Sequence, residues 1–134
     1  MKLENNWKFK SLVHLQKLGN YAPSKNPPTT LVAKCEELLL KPLDEYSIEN
    51  LRMMIGQQIG LEFLIPLAIE KLQEDILAEG DFYPGDLLSS VLRVSSNFWR
   101  QNQPLNEQLS NLVRNHKETI LEEGISLELF ESDL

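Results

Sequence analysis

The stretch ILAEGDFYPGDLL, residues 76–88, holds the side chains of this sequence that could most readily do chemistry. It places Glu79, Asp81 and Asp86 around two glycines and one proline. A calcium loop needs oxygen donors at alternating positions, and residues 82–84, which are Phe, Tyr and Pro, occupy those positions. An acid and base pair would need a substrate cleft and one carboxyl group with a raised pKa. The pattern therefore disfavours a metal-dependent or carboxylate-dependent hydrolase.

Two other interpretations suit the same stretch. The first is structural: Gly80 ends one helix, Pro84 opens the next, and Asp86 lies near the positive end of that helix. The second is docking, because adjacent aromatic residues in a turn surrounded by carboxylates are typical of anchors for a basic protein partner. We predict partner contacts at the acidic and aromatic positions of this turn and of the helix before it: Glu70, Glu74, Asp75, Glu79, Asp81, Phe82, Tyr83 and Asp86.

Outside this stretch the sequence shows no familiar catalytic pattern. A nucleophile elbow, a phosphate-binding glycine loop, a zinc HExxH helix and an EF-hand are all missing from it. His14 and His116 lie far apart in sequence, and His116 continues an apolar stripe, which favours a core residue. Cys35 is the single cysteine, so no intrachain disulfide forms. We expect no metal and no cofactor.

The spacing of apolar residues predicts an all-α fold, arranged as a single compact domain of about six or seven helices over residues 1–134. A chain of 134 residues with 42% hydrophobic content suffices for one core. Residues 19–28 contain three prolines and predict a loop, and residues 125–134 predict an acidic tail. Near the N-terminus, the spacing in residues 7–15 favours a helix, with a small β-hairpin as the alternative.

Helix boundaries follow from capping and breaking residues. Ser47 is expected to cap a short helix. Residues 59–80 predict a long apolar helix that is kinked, or begins again, at Pro66 and ends at Gly80. A final helix is predicted from Pro104 to Leu121, since proline is favoured in a first helical turn.

The charge is distributed unevenly along the chain. Residues 1–41 hold seven lysines and three glutamates, whereas residues 42–134 hold six basic and seventeen acidic side chains, and the total is −7. An acidic surface repels nucleic acid phosphates and attracts basic proteins. No apolar run is long enough to span a membrane, and the first residues lack the apolar core of a secretory signal. These features predict a cytoplasmic protein that binds neither nucleic acid nor membrane.

Two segments carry a family resemblance: KPLDEYSIENLRMMIGQQIGLEFLIPLAIE, residues 41–70, and ILAEGDFYPGDLL, residues 76–88. Together with the sequence around them, from Thr30 to Trp99, they resemble immunity proteins of bacterial contact-dependent growth inhibition systems. The likeness covers roughly half of the chain. The order of the two segments is more specific than either segment alone.

The resemblance implies a small cytoplasmic inhibitor that binds the C-terminal toxin domain delivered by a neighbouring cell. Such a protein is not an enzyme, and the resemblance implies no catalytic residue. The toxins are commonly nucleases with basic substrate grooves, so an acidic inhibitor surface would act as a mimic of nucleic acid. We expect a monomer that forms a 1:1 complex with a basic nuclease domain.

The sequence allows other positions for the toxin contact and other functions for the protein. Apolar residues shared with the family are better explained as core, because discrimination among toxins depends on exposed side chains. The contact could then lie on the loop 19–28 or along the C-terminal helix at Glu107, Glu118, Glu122 and Glu123. A helical adapter for a resident cellular partner is the alternative function, and a hydrolase using the carboxylates of residues 79–86 is the third.

Overall fold

The computed structural model describes residues 5–128 and residue 130. All regular secondary structure in these residues is helical, so the predicted all-α fold is confirmed and the N-terminal hairpin does not form in this part of the chain. Two 3₁₀ turns, Trp7–Phe9 and Leu43–Glu45, lie within the first third of the sequence. The α-helices are α1 (Leu12–Leu15), α2 (Thr30–Leu39), α3 (Ile48–Gly56), α4 (Leu61–Glu74), α5 (Asp86–Leu92), α6 (Ser96–Gln101), α7 (Gln103–Asn115) and α8 (Lys117–Glu122).

The chain divides into two units, of which Met1–Tyr46 is the first. Its two 3₁₀ turns are linked by a hydrogen bond from the Leu43 N–H to the Lys10 carbonyl at 3.1 Å. The Tyr46 hydroxyl donates to the Leu38 carbonyl at 2.6 Å near the end of α2. The same carbonyl accepts the Lys41 N–H at 3.2 Å, so the hydroxyl adds a second donor to a carbonyl at the helix C-terminus.

The second unit is Ser47–Leu134, in which α5 is the most deeply buried helix. Every residue of α5 is buried, and the helix packs against α3 and α4. Helix α4 also packs against α7, which in turn contacts α6 and α8. The core of this unit consists mainly of aliphatic side chains: Leu51, Met54, Ile55, Leu64, Ile65, Ile69, Leu72, Leu87, Leu88, Val91 and Leu109.

The start of α3 is fixed by the predicted cap. The Ser47 hydroxyl accepts the Asn50 N–H at 3.0 Å, and the Ser47 N–H donates to the Asn50 side chain at 3.1 Å. This reciprocal capping box confirms the prediction at Ser47. Because the cap sets the first turn, it also sets the direction of Glu49 and of Arg52 three residues later.

The long helix predicted over residues 59–80 is shorter than expected. Helix α4 contains Pro66 in its interior and ends at Glu74, so the prediction that Gly80 ends it is wrong. The cause is Asp75, which adopts an extended conformation and accepts the Leu77 N–H on its side chain at 3.0 Å. Ile76 is nevertheless buried, and this explains why the apolar spacing continues beyond the end of the helix.

The predicted final helix is divided in two. Helix α7 ends at Asn115, and His116 separates it from α8. The His116 side chain is exposed, so its assignment to the core is wrong. Its Nδ1 atom lies 3.0 Å from the Leu112 carbonyl, where the ring can serve as a polar cap at the end of α7.

Part of the segment interpreted as an acidic tail is buried. Ile125, Leu127 and Phe130 are all less than a tenth exposed. The Phe130 ring meets the Trp99 ring edge to face, with centroids 6.2 Å apart. Residues 129 and 131–134, where the remainder of this prediction falls, lie outside the described residues.

Candidate functional site

Residues 79–85, here called the acidic loop, connect the turn after α4 to the start of α5. The Gly85 N–H donates to the Leu77 carbonyl at 3.0 Å and closes the base of the loop. Phe82 is 67% exposed and Tyr83 is 42% exposed. Glu79 and Asp81 are exposed beside them. The loop therefore presents two aromatic rings and two carboxylates to solvent.

Asp86 organises the acidic loop from the first turn of α5. Its Oδ1 atom accepts the Gly80 N–H at 2.6 Å, and its Oδ2 atom accepts the N–H groups of Phe82 at 3.0 Å and Tyr83 at 3.4 Å. The residue is only 2% exposed. Convergence of three backbone donors on one buried carboxylate restricts the loop strongly. Asp86 was predicted as a partner contact, and its carboxylate is buried and accepts three backbone N–H groups of the loop.

Glu49 holds the same loop from helix α3. Its Oε1 atom accepts the Asp81 N–H at 3.0 Å and the Arg52 Nε–H at 2.6 Å, while Oε2 accepts from Arg52 Nη2 at 2.5 Å. The side chains of Arg52 and Glu49 are 21% and 15% exposed. Two parallel hydrogen bonds between a guanidinium and a carboxylate form a strong, directional ion pair. Glu49 is thereby fixed in position and restrains the backbone at Asp81.

Arg52 also contacts the aromatic part of the loop. Its Cζ atom lies 4.4 Å from the centroid of the Phe82 ring. This separation is within the range of a cation–π interaction. One face of the ring therefore rests on the guanidinium, although most of the side chain remains open to solvent. The sequence reasoning did not single out Arg52 or Glu49.

Two glycines permit the close packing of the loop. A Cβ atom on Gly80 would lie 2.5 Å from Glu49 Oε1 and 3.2 Å from the Glu49 Cα. A Cβ atom on Gly85 would lie 2.5 Å from Ile125 Cδ1, and the φ angle of Gly85 is +85°. Gly80 is thus required for close approach to α3, and Gly85 is required for both its backbone conformation and its packing.

The electrostatics of the site are dominated by one cation among several carboxylates. The hydrogen bonds from Arg52, with a further bond from the Asp81 N–H, hold the pKa of Glu49 below its ordinary value even though partial burial opposes this. The pKa of Arg52 is raised, first by its hydrogen bond to Glu49 and also by the charges of Asp86 and Asp81. Both partners of the ion pair therefore stay charged at neutral pH.

Seven of the eight predicted partner contacts have accessible side chains. Asp86 is the exception. A single sequence-level signal, the spacing of Glu49 and Arg52 by three residues, could have indicated the ion pair. Nothing in the sequence connects that pair to Asp81, which lies 32 residues further along the chain. The accessible predicted positions are Glu70, Glu74, Asp75, Glu79, Asp81, Phe82 and Tyr83.

The alternative contact regions have a different character. Glu107 lines a groove of about 660 Å³ between α6 and α7, together with Trp99, Arg100 and Arg114. The cations on this surface make it less acidic than the loop. The loop 19–28 is attached to α2 through Ser24. The remaining acidic alternatives, Glu118, Glu122 and Glu123, are exposed on or just after α8.

The described residues contain neither a metal-binding cluster nor a membrane-spanning helix. Over residues 5–128 and 130, no three or more His, Cys, Asp and Glu side chains form a group that could hold a metal ion. In the same residues, no helix has the length and apolar character needed to cross a membrane.

Aromatic side chains of the kind exposed on the acidic loop are enriched in protein–protein interfaces. Comparison with protein families identifies the class of this protein: a model of CDI immunity proteins, those of contact-dependent growth inhibition, matches residues 17–109. This match covers more than half of the chain, and the chain belongs to the family of CDI immunity proteins. The matched region contains α3, α4, the acidic loop and α5. No curated protein and no solved structure matches the chain.

Proposed function

We propose that this CDI immunity protein neutralises a basic nuclease toxin domain by binding it 1:1 through the acidic loop and the exposed acidic end of α4. Inhibition is by occlusion, so the immunity protein carries out no chemical step itself. It acts in the cytoplasm, where the toxin would meet its nucleic acid substrate. The observation that carries the proposal is the exposure of Phe82 and Tyr83 on a loop held in place by buried Asp86.

The aromatic residues supply the apolar part of the interface. Burying a large aromatic side chain removes about 150–250 Å² from water, and at about 25 cal/mol per Å² the exposed part of Phe82 is worth on the order of 3 kcal/mol. Aromatic side chains are enriched among the residues that dominate binding energy. Phe82 and Tyr83 therefore suit an apolar pocket on the toxin.

The carboxylates would orient the toxin and raise its association rate. Glu79 and Asp81 flank the aromatic pair, and Glu70, Glu74 and Asp75 extend the acidic surface along α4. Residues 42–134 carry seventeen acidic and six basic side chains. A basic substrate groove would be attracted to such a surface as it is to nucleic acid, so association should slow when salt is raised. Asp86 is excluded from the contact set because its carboxylate is buried and occupied by backbone donors.

Calorimetry with the cognate toxin domain tests the proposal. The variant combines Glu79→Lys, Asp81→Lys and Phe82→Ala, and it spares Asp86 so that the loop keeps its internal support. We expect nanomolar binding by the wild type and at least about a hundredfold weaker binding by the variant, since interface centres contribute several kcal/mol. The matched control is Glu122→Lys with Glu123→Lys, which changes charge by the same amount on exposed residues at the C-terminal end of α8.

The outcomes separate the parts of the proposal. Equal affinity of the loop variant and the wild type would remove the acidic loop from the interface. Weaker binding by the α8 control than by the loop variant would move the interface to the C-terminal helices.

A nucleic acid degradation assay of the toxin domain, with and without one equivalent of immunity protein, tests the nuclease assignment. A toxin that degrades neither DNA nor RNA would overturn that assignment alone.

A further inference from the structure

We infer that Arg52 and Glu49 of α3 are positioning residues that set the toxin-binding conformation of the acidic loop before the toxin arrives. The inference rests on the proposed function, since it assigns to these residues the preparation of the same binding surface. Both side chains lie on α3, and about thirty residues of chain separate them from the acidic loop.

The geometry joins the backbone and the aromatic ring of the loop to one ion pair. Glu49 Oε1 is shared between the Asp81 N–H and Arg52 Nε, so the carboxylate links the loop backbone to the guanidinium. The edge of the guanidinium faces Glu49, and its Cζ lies 4.4 Å from the centroid of the Phe82 ring. The Arg52 guanidinium thus restrains two consecutive loop residues. It restrains Asp81 through Glu49, and it contacts the ring of Phe82 directly.

An exposed phenyl ring on a loop would otherwise have several accessible rotamers. Fixing such a side chain on binding costs free energy. If only a fraction of the free molecules has the binding-competent conformation, the apparent affinity is lowered in proportion to that fraction. Phe82 is 67% exposed, so neighbouring packing restrains it little apart from its contact with Arg52. Arg52 and Glu49 are mostly covered, which limits competition from water for their hydrogen bonds.

A positioning role and a purely electrostatic role predict opposite changes in the association rate. Removing the cation of Arg52 makes the loop more acidic, and electrostatic steering alone would then make association with a basic toxin faster. Loss of positioning lowers the fraction of molecules that can bind, and association then becomes slower. Whether Arg52→Ala associates more slowly or faster than the wild type therefore distinguishes the two roles, whatever the size of the difference.

Surface plasmon resonance with the toxin domain provides the test, since it gives the association and dissociation rate constants separately. We expect Arg52→Ala to lower the association rate constant about tenfold while the dissociation rate constant stays within about twofold, because the complex selects the same loop conformation. Arg52→Lys, which keeps the cation next to Phe82 but loses the two-bond pairing with Glu49, should recover part of the rate. The control is Lys34→Ala, which breaks an exposed ion pair of the same three-residue spacing with Glu37 on α2.

A double-variant cycle shows whether Arg52 acts through Phe82. In a Phe82→Ala background, Arg52→Ala should slow association less than it does in the wild type, because the ring that it positions is missing and only the restraint on Asp81 through Glu49 remains. Slowing that is equally large with and without Phe82 would overturn the inference, as would faster association of Arg52→Ala in the wild-type background. A rise in the dissociation rate constant alone would make Arg52 a direct toxin contact and would also overturn it.

Failure of the inference and failure of the proposed function give different results. If the combined Glu79, Asp81 and Phe82 variant leaves the affinity unchanged, the acidic loop is not the toxin-binding surface, and the proposed binding mode is lost together with the inference. If Phe82→Ala weakens binding and Arg52→Ala has no effect on association, only the positioning role is lost. Thermal unfolding of each variant is measured in parallel, and an Arg52→Ala protein that is partly unfolded at the assay temperature is replaced by Arg52→Gln.

Discussion

The acidic loop and the loop formed by residues 19–28 are both exposed, proline-containing connections, yet they are held in different ways. Asp86 and Glu49 accept four backbone N–H groups of the acidic loop, and Asp86 is 2% exposed. In residues 19–28, the Glu36 side chain accepts the Ser24 N–H at 2.7 Å and the Ser24 hydroxyl at 2.8 Å. The difference teaches that side chains outside a loop decide how strongly its conformation is fixed.

This contrast has a consequence for binding. A loop fixed by buried acceptors presents its exposed side chains in one arrangement, and the free energy of ordering them is already spent in folding. A loop held through exposed hydrogen bonds, such as those of Ser24 to Glu36, keeps more conformations in the free protein. The acidic loop is therefore the better candidate for rapid, specific recognition, although both loops have accessible polar side chains.

The largest expected effect comes from removing the buried acceptor. Asp86→Ala leaves three backbone N–H groups without their acceptor, and we expect a loss of about 3–5 kcal/mol in the free energy of unfolding. Urea denaturation followed by circular dichroism measures this loss. Glu36→Ala, the corresponding change for residues 19–28, should cost less than about 1 kcal/mol because the contact is exposed. Equal losses for the two variants would remove the contrast between the loops.

A smaller effect is expected from the glycines of the two loops. Gly85→Ala introduces a positive-φ alanine and places its Cβ 2.5 Å from Ile125 Cδ1, which should cost about 2–3 kcal/mol. Gly19 also has a positive φ, of +63°, but among the described residues nothing beyond its chain neighbours lies within 4 Å of a Cβ there. Gly19→Ala should therefore cost only the conformational part, about 1 kcal/mol. The difference between the two variants in urea denaturation isolates the packing of the acidic loop.

The smallest expected effect is the pH dependence contributed by Glu49. Its pKa is lowered in the folded protein from an ordinary value of 4.5, chiefly by the hydrogen bonds from Arg52. A lowered pKa stabilises the folded state above the ordinary value, and this stabilisation is lost as pH falls through the folded-state pKa. We expect the wild type to be more stable than Glu49→Gln at neutral pH, and the difference to shrink below about pH 4.

Unfolding curves of both proteins, recorded from neutral to acidic pH, check this expectation. Glu37→Gln is the control, because its ion pair with Lys34 spans 3.7 Å between exposed side chains and should contribute little at any pH. A difference between wild type and Glu49→Gln that is independent of pH would mean that the Arg52 and Asp81 contacts of Glu49 do not depend on its charge.

Local sequence signals predicted the parts of the fold that depend on local chemistry. The all-α class followed from apolar spacing, and the cap at Ser47 followed from one side chain and its own helix, whereas its reciprocal partner Asn50 was not predicted. The end of α4 was misplaced because Ile76 is buried in a turn and so continues the helical spacing. His116 was misassigned for a similar reason, since its position in an apolar stripe gave no sign that the helix breaks there.

The candidate site was accessible to sequence reasoning only in part. Phe82 and its acidic neighbours stood out by residue type, and their exposure agrees with that choice. Asp86 looks the same as Asp81 in the sequence, and only the three backbone donors around it reveal a structural role. Glu49 and Arg52 reach the loop across a long sequence separation, which single-sequence patterns do not encode.

Oxidative footprinting of the toxin complex tests most directly whether the acidic loop is the binding surface. Hydroxyl radicals modify exposed aromatic side chains, and Phe82 is 67% exposed in the free protein while Phe9 is 70% exposed. We predict that toxin binding strongly reduces modification of Phe82 and Tyr83 and leaves Phe9 unchanged, as measured by mass spectrometry. Unchanged modification of Phe82 and Tyr83 in a saturated complex would contradict the assignment of the acidic loop as the toxin-binding surface.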